Sequence, residues 1–131
     1  MTKATSPYAE ELIFTKRLAA DAAALALSQF GYATARRKYD GTLVTATDEA
    51  VDLLIAQRIA AVYPDDAILS EERVTQYDPA VGRTWVIDPL DGTTNFARGF
   101  PTWGVSISLL EGGTPVVGVV HFPALEEVFA A

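Results

Sequence analysis

Two carboxylates three residues apart are the first candidates for chemistry. Asp88 follows the apolar run Trp85–Ile87, and Asp91 follows Pro89 and Leu90. Because proline fixes φ and favours a turn, we expect the chain to bring Asp91 back to the side of Asp88. The two carboxylates and the Leu90 carbonyl would then present the hard oxygen ligands that Mg²⁺ prefers. The pattern therefore predicts a magnesium site at the end of a buried strand.

The residues after this pair are suited to binding an anion beside that cation. The N–H groups of Gly92, Thr93 and Thr94 would begin a short helix that Gly99 closes, and helix N-termini attract phosphate groups. Asp-Pro and Asp-Gly are also ordinary turn dipeptides, so the spacing of the two aspartates alone leaves a purely structural role open. The complete run DPLDGTTNF after a strand is much harder to explain by turn chemistry.

A third carboxylate comes from the Glu71-Glu72 pair, which follows the apolar run Ala67–Leu69. An isolated pair of this kind is usually part of a solvated loop. Because it precedes the strand that delivers Asp88, Glu71 is a candidate for a third ligand in the same metal cluster.

Asp48 is the fourth acidic candidate. Thr47 and Asp48 together make a good helix N-cap, and we expect that structural role. A functional role can be added to it, in which Asp48 orders water beside the metal or holds the Thr93 hydroxyl.

Two helices are predicted before these motifs. The first begins at Ser6 and stops at Gly31, and the second begins near Thr47 and stops at Pro64. Between them we expect three short features: a basic run (Arg36–Lys38), a turn (Asp40–Gly41) and an extended segment (Leu43–Ala46).

Short apolar runs separated by turn residues predict strands in the rest of the chain: Ala67–Leu69, Thr84–Ile87, Val105–Leu110, Val116–His121 and a last strand from Glu127. Two helices followed by such a meander predict an α+β layered sandwich, with the helices packed on a mainly antiparallel sheet. Because the sequence stops at Ala131 inside a predicted strand, we expect it to be part of a larger protein.

Composition excludes several classes of function. The net charge of −7 argues against nucleic-acid and anionic-membrane partners, and a phosphorylated partner would require bound cations. Without cysteine there is no disulfide and no thiolate metal site, and the single His121 is expected to pack in a strand. No apolar signal segment or membrane span is evident, so we expect a cytoplasmic protein.

Three motifs together resemble the inositol monophosphatase family of Mg²⁺-dependent, lithium-sensitive phosphatases, whose superfamily includes fructose-1,6-bisphosphatase. They are Val44–Asp48, Ile68–Glu72 and Trp85–Phe96, and the resemblance extends from Tyr8 over nearly the whole chain. It implies the α/β/α/β/α layered fold of these sugar phosphatases, of which residues 1–131 would be the N-terminal metal- and phosphate-binding part. The family's C-terminal half is missing from this chain.

The resemblance also implies roles for individual residues. The Mg²⁺ ligands would be Glu71, Asp88, Asp91 and the Leu90 carbonyl; phosphate would be held by Gly92, Thr93 and Thr94; and Thr93, supported by Asp48, would orient or deprotonate the attacking water. Lys38 is the nearest candidate for a lysine that often lines the family's site, with Arg37 second. For those two residues we favour a solvated basic run over a role in the site.

The implied activity is hydrolysis of a small phosphorylated polyol or sugar, first of all inositol monophosphate, by a homodimeric enzyme. Fructose 1,6-bisphosphate, histidinol phosphate and a nucleotide 3′-phosphate stay open as substrates within the family. An alternative of another class is a truncated, non-catalytic module that binds metal or phosphate.

Overall fold

The computed structural model describes residues 7–35, 40–70 and 82–131. Its helices are α1 (Ala9–Ala35), α2 (Asp40–Val62) and α3 (Thr93–Ala97), and a short 3₁₀ turn spans Pro123–Leu125. Its strands are β1 (Ala67–Leu69), β2 (Arg83–Asp91), β3 (Gly104–Glu111), β4 (Thr114–Phe122) and β5 (Glu127–Ala130). Within these ranges, no helix combines the length and the apolar character needed to cross a membrane.

The five strands form one sheet in the order β1-β2-β3-β4-β5. Only the β1–β2 pair is parallel, so the predicted mainly antiparallel sheet is confirmed. Strands β3 and β4 form a hairpin, in which Glu111 pairs with Thr114 across a two-residue turn at Gly112 and Gly113. All four β5 residues are exposed along the outer edge of the sheet.

One face of the sheet carries the core. Side chains alternate along the central strands, and α1 and α2 cover the apolar side. The inward residues are all at most 4% exposed: Trp85 and Ile87 on β2, Val105, Ile107 and Leu109 on β3, and Val117 and Val119 on β4. The predicted packing of two N-terminal helices on the sheet is therefore confirmed, and it fixes where each strand ends.

The start of α2 differs from the prediction. The helix begins at Asp40, so the predicted turn at Asp40–Gly41, the extended segment Leu43–Ala46 and the Thr47 N-cap are wrong. Thr47 is 2% exposed and lies four residues before Val51 in the buried stripe that continues to Ile59. Because that stripe has the helical period, packing against the core favours helix at Thr47 over the strand propensity of the local residues, and the helix extends about two turns further, to Asp40.

The end of α1 also lies beyond the predicted position. The helix continues through Gly31 to Ala35. A single glycine costs a helix only about 1 kcal/mol, so it does not by itself stop one. Four alanines of α1 are buried where the helix packs against the rest of the molecule: Ala19, Ala22, Ala23 and Ala26. Ser6, the predicted N-cap, lies outside the described residues.

A charged cluster ties the start of β2 to α1 and to the turn that follows α2. The Arg83 guanidinium donates to both carboxylate oxygens of Asp66, at 3.0–3.2 Å, and to Glu11 at 2.6 Å. The Trp85 indole N–H donates to Asp66 at 2.9 Å, and the guanidinium lies 5.2 Å from the Tyr63 ring centroid. Burial by itself lowers the pKa of Arg83, but its hydrogen bonds to Asp66 and Glu11 outweigh burial and raise that pKa overall.

Replacing this arginine should cost substantial stability. In Arg83→Met the carboxylates of Asp66 and Glu11, whose side chains are 11% and 13% exposed, lose their cation. We expect the free energy of unfolding to fall by about 3 kcal/mol in urea titrations. Arg58→Met is the matched control, because its ion pair with Asp21 is about half exposed on both sides, and it should cost at most about 1 kcal/mol. Equal losses in the two variants would contradict the role of the cluster.

The single histidine predicts a pH dependence of stability. His121 is half-buried on β4, its Nδ1 atom has no hydrogen-bond partner among the described residues, and burial lowers its pKa. The folded state therefore binds a proton less readily than the unfolded state, so this group destabilises the fold as pH falls below about 6.5. Between pH 7.5 and 5.5, the wild type should lose more unfolding free energy than His121→Gln. Identical losses would show that His121 does not contribute.

Candidate active site

The two aspartates lie at the end of β2, where its pairing with β3 changes register. Asp88 lies opposite Ser106, whereas Asp91 lies opposite Gly104. Three steps along β2 therefore match two steps along β3, which defines a β-bulge with one extra residue. In a regular strand, residues three apart point to opposite faces. The extra residue returns Asp91 to the side of Asp88.

This bulge replaces the turn that was predicted at Pro89. The strand does not end at Asp88 but continues to Asp91, so the predicted strand end is wrong. Pro89 has no N–H to donate, and it is tolerated here because the ladder is already interrupted. Pro89 and Leu90 are buried, whereas the two aspartates on either side of them are exposed. The two carboxylates still lie on one side of the strand, as expected, but a bulge places them there and not a turn.

Gly92 connects β2 to α3 in a conformation that other residues rarely adopt. Its φ is +84°, and a Cβ placed on it would lie 2.9 Å from the Thr102 carbonyl oxygen. Its own carbonyl accepts the first helical hydrogen bond, from the Phe96 N–H at 3.0 Å. The short helix predicted after Gly92 is thereby confirmed, and it closes where predicted, with the Gly99 N–H donating to the Phe96 carbonyl.

Aromatic packing holds α3 against the rest of the molecule. The ring of Phe96 meets that of Trp103 edge to face at a centroid distance of 4.9 Å, and both residues are fully buried. Phe30 of α1 lies 5.6 Å from Phe96 and 5.2 Å from Trp103. A five-residue helix is not stable alone, so these contacts supply its stability.

A polar cavity of about 360 Å³ opens beside the bulge and the start of α3. It is lined by Asp48 from α2 and by the consecutive residues Ile87, Asp88, Pro89, Leu90, Asp91, Gly92 and Thr93. Asp48 lies 40 residues before Asp88 in the sequence, and the packing of α2 against β2 and α3 brings it to the same place. Five predicted site residues besides Asp48 share this cavity.

The remaining predicted site residues are less completely described. Lys38, Arg37 and Glu71 lie outside the described residues, and of Thr94 only the backbone in α3 is described. Across residues 7–35, 40–70 and 82–131, no three His, Cys, Asp or Glu side chains are arranged to hold a metal ion. The predicted third carboxylate, Glu71, therefore stays a prediction.

The residues around the cavity nevertheless fit a hard divalent cation. Three of its eight lining residues are aspartates, and carboxylate and carbonyl oxygens are the donors that Mg²⁺ takes from proteins. Asp88 and Asp91 are exposed and Asp48 is partly buried, so a hydrated cation could reach all three. Without a cation, these carboxylates would repel a phosphate dianion at this position.

Comparison with known proteins identifies the family of this chain. The model of the inositol monophosphatase family matches residues 8–131. The chain belongs to the inositol monophosphatase family. The inositol monophosphatase of Thermotoga maritima superposes on it with a TM-score of 0.79 at 33% identity, over 93% of this chain and 48% of that one. The predicted fold class is therefore confirmed by solved structures of the inositol monophosphatase family.

Two curated relatives illustrate the range of named activities in the inositol monophosphatase family. A histidinol-phosphatase of Chlorobaculum parvum is 40% identical over 123 residues, which are 92% of this chain and 47% of that protein. Inositol monophosphatase 2 of Solanum lycopersicum is 42% identical over 93 residues, which are 68% of this chain and 35% of that protein. The chain spans about half the length of the histidinol-phosphatase and about a third of the length of inositol monophosphatase 2.

Sequence reasoning overlooked one residue beside the site. The Asn95 side-chain N–H donates to the Thr102 carbonyl at 2.9 Å, which joins α3 to the segment that precedes β3. Nothing local in the sequence identifies this pairing, because any polar residue in a first helical turn satisfies local rules equally well.

Gly92→Ala tests the close approach at the start of α3. The new Cβ would need both an unfavourable φ and space that the Thr102 carbonyl occupies. We expect a loss of about 2 kcal/mol or more in unfolding free energy and weaker Mg²⁺ binding by calorimetry. Gly82→Ala is the matched control, because Gly82 has φ +118° but open space around it. If the two substitutions lowered stability equally and left Mg²⁺ binding unchanged, the close contact would have no role.

Proposed function

We propose that this chain carries the metal- and phosphate-binding N-terminal part of a Mg²⁺-dependent phosphomonoesterase. The observation that supports it most directly is that Asp48, Asp88, Asp91 and Thr93 line one cavity although they come from two separate segments. Membership of the inositol monophosphatase family and the phosphatase names of its relatives point the same way.

In this proposal Asp88, Asp91, the Leu90 carbonyl and Glu71 hold Mg²⁺. When bound, the cation neutralises phosphoryl oxygens, lowers the pKa of a water molecule and stabilises the leaving alkoxide. The protein residues fix the arrangement: the bulge in β2 sets the two aspartates side by side, and the buried Leu90 side chain holds the intervening backbone in place.

The start of α3 would receive the phosphate. The N–H groups of Gly92, Thr93 and Thr94 begin the helix and have no helical carbonyl to bind, so they can donate to phosphate oxygens. The Thr93 hydroxyl, supported by Asp48, orients the attacking water. The hydroxyl accepts a proton from this water and donates its own proton to the Asp48 carboxylate. Water attacks phosphorus in line as the ester P–O bond breaks, which releases inorganic phosphate and an alkoxide; the alkoxide takes a proton from solvent water to become the alcohol.

The substrate is proposed at the level of a small phosphorylated polyol or sugar, with inositol monophosphate first. Histidinol phosphate, fructose 1,6-bisphosphate and a nucleotide 3′-phosphate are the alternatives, and a histidinol-phosphatase is among the relatives. A homodimer, inhibition by Li⁺ and a role for Lys38 beside the phosphate belong to the same proposal.

Asp91→Asn tests the assignment. Losing one carboxylate charge should lower Mg²⁺-dependent phosphate release from inositol 1-phosphate at least about 100-fold and weaken Mg²⁺ binding, with little change in the circular dichroism spectrum. Asp21→Asn is the matched control, because it makes the same chemical change at an exposed ion pair on α1, and it should keep the wild-type rate.

Two other results would point elsewhere. Wild-type turnover in Asp91→Asn would refute the assignment of the metal ligands. A wild-type chain that binds Mg²⁺ but releases phosphate from none of the four substrate types would favour the alternative, a non-catalytic metal-binding module.

A further inference from the structure

The Thr102 carbonyl contacts both ends of the first turn of α3. It accepts a hydrogen bond from the Asn95 side chain at 2.9 Å, and it lies 2.9 Å from the position that a Cβ on Gly92 would occupy. A single backbone oxygen therefore limits where Gly92 can lie and is itself held by Asn95. The orientation of the helix start depends on this contact.

Asn95 also binds the same segment through its backbone. Its carbonyl accepts a hydrogen bond from the Phe100 N–H at 2.8 Å. This bond spans five residues and closes α3 together with the bond from the Gly99 N–H to the Phe96 carbonyl. The segment from Phe100 to Trp103 is thus tied to Asn95 at two points. Trp103 at its end is fully buried against Phe96, so the segment is a fixed support.

The geometry at Thr93 depends on this support. The described lining of the cavity runs through Asp91, Gly92 and Thr93 and stops two residues before Asn95. A helix of five residues cannot hold its own orientation, so the distance between Thr93 and the aspartates is set by the tertiary contacts of α3. Among the described side chains of α3, Asn95 makes a polar tertiary contact and Phe96 makes aromatic ones.

We propose that Asn95 is a positioning residue for the site: through the Thr102 carbonyl it fixes Gly92 and Thr93 relative to Asp91. Its importance for turnover rests on the proposed function, whereas its effect on the position of Gly92 and Thr93 does not. Removing a residue that orients metal ligands without touching the metal typically lowers metal affinity about 10–100-fold.

Asn95→Leu removes the side-chain donor at similar volume, and Asn95→Ala removes it with a smaller side chain. In ¹⁵N-labelled chain without metal, both variants should shift the amide signals of Gly92 and Thr93. In titrations with Mg²⁺ alone, both should bind about 10-fold more weakly than the wild type. Arg83→Met is the control for lost stability, because it lies at the opposite end of β2, and it should leave these signals and the Mg²⁺ affinity unchanged.

Different results would overturn the positioning role of Asn95 and the proposed function. Unchanged Gly92 and Thr93 signals in both Asn95 variants would overturn the positioning role, whatever the metal does. If the signals shift as expected in the two Asn95 variants but the wild-type chain does not bind Mg²⁺, the positioning role is supported and the proposed function is overturned. If Arg83→Met shifted the Gly92 and Thr93 signals as much as the Asn95 variants do, the shifts would be due to lost stability, and the positioning role would be overturned.

Discussion

A one-residue β-bulge between Asp88 and Asp91 determines what this site can do. Without it, residues three apart on β2 would project from opposite faces, and the two carboxylates could not act on one ligand. With it, both lie on one side at the end of the strand, with Pro89 and Leu90 buried between them. The negative net charge of the chain and the clustered carboxylates would both repel an anionic ligand, so such a ligand could bind here only together with a cation.

The rest of the fold holds that strand end in place. At its start, β2 is fixed by the hydrogen bonds of Arg83 to Asp66 and Glu11. Along its length, Trp85 and Ile87 pack under the two long helices. At its end, the aromatic contacts of Phe96 and the hydrogen bond of Asn95 position α3. The contacts at the start and along the length of β2 therefore stabilise the strand, whereas the contacts of α3 support the predicted site residues, as precise ligand geometry requires.

The sequence predicted the strands well and the helix limits poorly. Strands such as Val105–Leu110 are short apolar runs between turn residues, and this local signal is sufficient. Gly31 carries a local signal for a helix stop, but a single glycine is too weak to end α1. Thr47 carries a local signal for a helix start, but it belongs to the helical stripe of α2 that is buried through Ile59, and this packing overrides the signal. The two aspartates and Thr93 were predicted as site residues from the local sequence, and the structure places them along one cavity. The bulge and the Asn95–Thr102 contact were not, because both depend on partners that only the folded chain brings together.

The most direct test of this account is a crystal structure of the chain with Mn²⁺, located by its anomalous scattering. The account predicts a peak in the cavity beside the bulge, with carboxylate oxygens of Asp88 and Asp91 at about 2.0–2.3 Å from the ion. A cation bound elsewhere, or none at all while Asp88 and Asp91 point away from each other, would contradict it.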